Sequence, residues 1–142
     1  MSQCTQYLTH VSPEFENEFL ILCNEERAKV GLEPLWWFED AYYFTQMRAE
    51  ELSVSWSHTR PNGKKWYSVY YDEGVVISGE FGENLGRSRG CVLNADFAQV
   101  MVDSWMASAG HRANILNPDF SRIAISIVQD GTDLYVVQHF FS

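Results

Sequence analysis

The chain changes its hydrophobic period once, near its end, and that change narrows the folds open to it. Most of the sequence before residue 110 carries apolar residues at helical spacing or in glycine-rich loops. Then Ile123, Ile125 and Ile127 alternate with small residues, the pattern of a half-buried strand. Asp130-Gly131-Thr132-Asp133 follows as a hairpin turn signal, and Leu134 to Phe141 reads as the return strand. Helices first and an antiparallel hairpin last define the α+β class. With 142 residues and no internal repeat, low-complexity tract or linker, the chain divides into a polar arm over 1–11 and a single domain over 12–142.

The earlier elements have local signals. Ser12-Pro13 reads as an N-cap followed by proline at the first helical position, with Glu14 and Glu16 favouring the positive helix end. Phe15, Phe19, Leu22, Cys23 and Val30 keep helical spacing up to a stop at Gly31, and Pro34 to Trp37 is a connector. Asp40 is the expected cap of a second helix over 41–53. Pro61-Asn62-Gly63 suits a turn, and a short helix is expected over 66–71. The four glycines between Gly79 and Gly90 predict a loop with one short strand at most. Asn94 is the expected cap of a helix over 95–107 with Phe97, Val100, Met101 and Trp105 as its buried stripe.

Composition excludes several function classes. A net charge of −9 with no Lys/Arg cluster argues against nucleic acid and against anionic membranes. No apolar run approaches the roughly 18–20 residues of a transmembrane span. The polar start, Met1 to Gln6, lacks the blocks of a signal peptide, so either the protein stays inside the cell or the leader of an exported one has been removed. Of the three cysteines, Cys23 falls on a helix's apolar face and is expected as a buried free thiol. Cys4 and Cys91 are expected to remain unpaired, although an oxidising compartment would permit pairing.

Three local patterns carry the chemistry: Ser57-His58-Thr59-Arg60-Pro61-Asn62-Gly63, Gly82-Glu83-Asn84-Leu85-Gly86, and Trp105 to Leu116 with Ser108, Gly110 and His111 inside it. In this order and at these separations they resemble the bacterial, SCP-like branch of the CAP superfamily, the cysteine-rich secretory, antigen 5 and pathogenesis-related 1 proteins. Asn24-Glu25-Glu26-Arg27 running into Gly31-Leu32-Glu33-Pro34-Leu35, and the ending Tyr135 to Phe140, are similar to that family's first helix and last strand. The resemblance covers the chain from about Phe15 onward.

It implies an α–β–α sandwich with a small antiparallel sheet between helical layers, and an extracellular or cell-envelope location. It also implies a cleft lined by His58, Glu83 and His111, with His58 and His111 as ligands of Zn2+ or another divalent metal. Ser108 stands where eukaryotic members carry a second glutamate, three residues after the helix tryptophan. Asn62, Ala109, Ala124 and Ser126 also depart from the family pattern.

Two histidines and a glutamate suit an open zinc site completed by water, but histidines also simply satisfy buried hydrogen bonds. Ser108 and His111, three residues apart, would complete a hydrolase-like triad with Glu83, against which stands the absence of a Gly-x-Ser-x-Gly elbow. Asn84, Gln138, Trp56 and Trp66 are the further cleft candidates: Asn84 as a brace of its loop, Gln138 rather than His139 facing inward, and the two tryptophans because they flank His58. Three functions follow. The first is a domain whose cleft binds a metal, a small ligand or both, the partner being a small molecule, a lipid or a protein. The second is a metal-dependent hydrolase with Glu83 as base, and the third a structural adhesion or interaction module.

Overall fold

The computed structural model describes residues 8–90 and 93–142. Cys4 and Cys91, and with them the question of their pairing, lie outside those residues. The chain runs β1 (Leu8–His10), α1 (Pro13–Lys29), β2 (Trp36–Trp37), α2 (Glu39–Leu52), α3 (Ser68–Tyr71), β3 (Phe81–Arg89), α4 (Phe97–Met106), α5 (Ala109–Ile115), β4 (Arg122–Asp130) and β5 (Asp133–Phe141). The sheet has the order β1-β4-β5-β3, antiparallel throughout, and the two-residue β2 lies parallel to the far end of β4.

Antiparallel sheets often leave one face to water, but β4 and β5 are buried on both. Ile123, Ile125, Ile127, Val136 and Phe140 face α1, α4 and α5, where Phe19, Cys23, Val102 and Trp105 meet them. Ala124, Val128, Val137 and Phe141 face α2 and α3, against Ala41, Phe44, Ala49, Leu52 and Tyr70. Helices on both faces of one sheet make the α–β–α sandwich. Ala124 and Ser126, where the family pattern has glycines, lie under α2, and Ser126 Oγ is 2.7 Å from Thr45 Oγ1, so the departure is absorbed by a buried hydrogen bond. Among the described residues no helix is long and apolar enough to cross a membrane.

The largest departure from expectation is the glycine-rich stretch. It is not a loop but a nine-residue edge strand, β3, paired with the whole of β5. Its glycines are there for packing. Gly82 and Gly86 share a face with Asn84, and that face lies directly under α4 and α5. A Cβ on Gly82 would sit 2.8 Å from Asn114 Oδ1, and one on Gly86 2.5 Å from Met101 Sδ and 3.0 Å from the Trp105 ring. Met101 can swing aside, whereas the buried indole cannot. Gly86→Ala should therefore cost about 1–3 kcal/mol by overpacking, read as a lower urea midpoint at unchanged slope.

Smaller corrections share one cause, that tertiary packing rather than local signal sets element edges. Phe38, not Asp40, is the N-cap residue of α2, and α4 starts at Phe97 behind a turn in which Asn94 Oδ1 accepts from the Asp96 N–H. Val100 points to solvent, and Val102 takes the buried place expected of it. Leu8–His10 of the polar arm pairs with β4 as an edge strand. Cys23 is a buried free thiol, as its helical position predicts.

Two charged residues in the apolar stripes organise the layers. Arg27 of α1 is buried and donates to four carbonyls, those of Glu33, Ile115, Asn117 and Phe120, at 2.8–3.1 Å. It ties α1 to the C-terminal end of α5 and to the chain entering β4. Arg48 of α2 is equally buried and reaches the site described next.

Candidate ligand cleft

The cleft forms over the outer edge of β3, between residues carried by the two helical layers. Successive residues of a strand face opposite sides, so Glu83 looks into the α2 layer and Asn84 into the α5 layer. Their cross-strand partners follow the same rule: Glu83 faces His139, and Asn84 faces Gln138. Side chains cap the exposed edge, with Asn114 Nδ2 donating to the Glu83 carbonyl at 3.4 Å and Trp105 Nε1 to the Leu85 carbonyl at 2.9 Å.

Glu83 is fully withdrawn from water at its side chain and takes two hydrogen bonds on each oxygen. Oε1 accepts from Arg48 Nη2 and from His58 Nδ1, both at 2.9 Å. Oε2 accepts from Arg48 Nε at 2.9 Å and from His139 Nε2 at 2.8 Å. Burial alone would push this carboxyl up. The hydrogen bonds from His139, His58 and Arg48 outweigh it and hold Glu83 down at about 2. His139 is entirely buried, which favours its neutral form, so with Nε2 donating to Glu83 its Nδ1 accepts from the Tyr70 hydroxyl at 2.5 Å. Tyr70, His139, Glu83 and His58 thus form one chain of hydrogen bonds ending at the cleft.

His58 enters from the segment after α2, which Arg48 anchors by donating to the Ser57 carbonyl at 3.0 Å. Its side chain is 57% exposed. His111 enters from the opposite layer on α5, where Ser108 is the N-cap residue. His111 Nδ1 and Ser108 Oγ share a hydrogen bond of 2.8 Å, and Asn84 Nδ2 donates to the His111 carbonyl at 3.1 Å. Burial, then the nearby charge of His58, lowers the His111 pKa and favours neutral imidazole. The space between is about 310 Å³, lined by His58, Glu83, Asn84, Ser108, Gly110, His111 and Asn114.

Five of the eight residues singled out in the sequence therefore line one cleft: His58, Glu83, Asn84, Ser108 and His111. The other three do not. Gln138 is buried below Asn84, accepting from it at 3.2 Å and donating to Cys23 Sγ at 3.3 Å, so it supports the floor from beneath. Trp56 lies to one side under the Arg87 guanidinium, 4.7 Å from its ring. Trp66 packs behind the site on His139, with ring centroids 4.5 Å apart. Asn84 braces helix α5 rather than a loop, accepting from Asn114 Nδ2 at 2.9 Å.

Two chemical roles find no support in this geometry. Glu83 is not arranged as a general base, because both of its oxygens are engaged by Arg48, His58 and His139, which hold the carboxyl below its usual range. Nor do Ser108, His111 and Glu83 form a triad: His111 Nδ1 faces Ser108, while Glu83 bonds to a different histidine. Sequence reasoning missed Arg48, His139 and Tyr70. A signal existed for Arg48, which stands four residues from both Phe44 and Leu52 on an otherwise apolar stripe.

A sandwich of this topology, with His58 and His111 lining one cleft at the edge of its sheet, fits a CAP-type domain. The model of the cysteine-rich secretory protein (CAP) family matches residues 20–140, and the chain belongs to that family. It is 28% identical over 120 residues to YkwD, an uncharacterized protein of Bacillus subtilis strain 168, a match covering 83% of this chain and 44% of that protein. The crystal structure of an extracellular SCP-domain protein from Bacillus anthracis superimposes with a TM-score of 0.71 at 21% identity, over 90% of this chain and 40% of that one. The chain thus spans less than half the length of these two relatives. NaASP2, solved with Zn2+, superimposes with a TM-score of 0.68 at 14% identity, over 91% of this chain and 80% of that one.

Proposed function

We propose that this chain is an exported CAP domain that binds a divalent metal through His58 and His111, and a small ligand through or beside that metal. The observation that carries the reading is the state of the two imidazoles. Each has its Nδ1 engaged, by Glu83 and by Ser108, and among the described residues neither Nε2 has a hydrogen-bond partner. A histidine that donates Nδ1–H to a carboxylate or hydroxyl presents its Nε2 lone pair, the usual support of a metal-binding imidazole. Zn2+ suits such ligands and would be held by Nε2 of both residues. Among the described residues no third His, Cys, Asp or Glu is placed to join them, since Glu83 is already consumed. Two protein ligands leave positions for water and for an exogenous donor, which favours reversible ligand capture over a closed structural site. The extracellular Bacillus anthracis neighbour and the Zn2+ of NaASP2 support the location and the metal.

The reading predicts a selective response of the imidazole nitrogens. With ¹⁵N-labelled histidine at neutral pH, Zn2+ should shift the Nε2 resonances of His58 and His111 and leave buried His139 unmoved. Equal shifts at exposed His10, or none at His58 and His111, would contradict it.

A further inference from the structure

Among the described residues two glutamates are buried, and they are treated in opposite ways. Glu83 has a guanidinium and two histidines on its oxygens. Glu16, on the first turn of α1, has only neutral hydrogen-bond donors among the described residues: the Tyr42 hydroxyl reaches Oε1 at 2.5 Å, and the Ile127 N–H reaches Oε2 at 3.0 Å. A buried carboxylate without a counter-charge is costly, and sequences keep such groups where something else balances them.

Glu16 lines a cavity of about 350 Å³, which shares no residue with the histidine cleft. Its other walls are Pro13, Asn17, Trp37, Glu39 and Tyr42. The Trp37 and Tyr42 rings meet edge to face, with centroids 5.3 Å apart and planes at 62°, and form two walls of a corner. Glu39 Oε2 accepts from Trp37 Nε1 at 2.7 Å, which places a second carboxylate at the same corner. None of the described lining residues is a lysine or arginine. Two aromatic rings and two carboxylates around an open space of small-molecule size are the recognition chemistry of an organic cation.

We propose that this cavity binds a small alkylammonium ion, seated in the corner of Trp37 and Tyr42 with its charge toward Glu16 and Glu39. The bound cation supplies a counter-charge that none of the described hydrogen-bond donors brings to Glu16. Consistent with that absence, burial pushes the Glu16 carboxyl up to about 7, only partly offset by Tyr42, by the Ile127 amide and by His10. Binding should tighten as pH rises through that value and Glu16 ionises. The charged or titratable groups around Glu16 are Tyr42 and Glu39 from α2 and His10 from β1. Tyr42 stays protonated there, its pKa being raised by burial and then by its bond to Glu16. His10 is paired with Glu50 at 2.7 Å, and the rise in affinity with pH should persist in His10→Gln.

The test is a titration with choline and with its uncharged isostere 3,3-dimethyl-1-butanol at constant ionic strength, following the Trp37 indole N–H by NMR. Choline should give a saturable shift at least about tenfold tighter than the alcohol. Trp37→Leu, followed at the Tyr42 ring, and Glu16→Gln should each weaken it about tenfold or more, while the rest of the spectrum stays native. Phosphatidylcholine vesicles run alongside separate a free amine from a lipid headgroup as the source. Flotation of the protein with the vesicles indicates the headgroup, and its absence with choline still binding indicates the free ion. Equal affinity for the neutral alcohol, or no saturable choline shift above the salt control, overturns the proposal.

Discussion

Arg48→Met should lower the stability of the domain by about 3–5 kcal/mol, the largest loss expected from any single change near the cleft. The variant keeps most of the side-chain volume but leaves Glu83 ionised and buried without its bidentate partner. It also releases the Ser57 carbonyl and with it the segment carrying His58. Urea unfolding should show a much lower midpoint, and the histidine resonances of the folded fraction should report a rearranged site. Glu83 should respond to acid in the same sense. Its folded pKa, about 2, lies below the value of an unfolded glutamate, so its contribution is complete above roughly pH 4.3 and fades as pH falls through 2. Glu83→Gln should flatten the stability profile in that window.

Arg27→Met should be nearly as damaging, at about 3 kcal/mol or more, because it strands the buried carbonyls of Ile115 and Phe120. Among the described residues Arg27 has no carboxylate partner. It holds the carbonyls of Glu33, Ile115, Asn117 and Phe120 together, so one planar fork of donors joins three segments of chain. The C-terminal carbonyl end of α5 is also where a positive charge is most favourable. Arg27→Lys should recover only a fraction of the loss, since a single ammonium cannot span acceptors spread around a guanidinium. Thermal unfolding followed by circular dichroism ranks the three proteins in the order wild type, Lys, Met.

These arginines mark what the sequence made legible and what it hid. The C-terminal hairpin is legible in the sequence, its return strand to within one residue, because alternation of Ile123, Ile125 and Ile127 and the Asp130–Asp133 turn are local signals. The histidine cleft was legible only through its three motifs, since residues 58, 83 and 111 are far apart in sequence and only pairing of β3 with β5 brings their segments together. The strand character of Phe81–Arg89 was hidden because its glycines, read locally, signal a loop. Their purpose, to let Trp105 and Asn114 lie on the sheet, is tertiary. The same blindness misplaced Gln138 and His139. Alternation says that the two face opposite ways, but only the register, with His139 opposite Glu83, says which one meets the buried carboxylate. Trp56 and Trp66 were drawn to the cleft by nearness in sequence, whereas packing takes one to Arg87 and the other behind His139.

If the two imidazoles with engaged Nδ1 atoms make one metal site across the edge of β3, both must be needed for it. Calorimetric titration of Zn2+ into metal-stripped wild type, His58→Ala and His111→Ala at neutral pH should then show one site of about micromolar affinity or tighter in the wild type, lost in each folded variant. No binding by folded wild type, or binding that survives both substitutions, would contradict it.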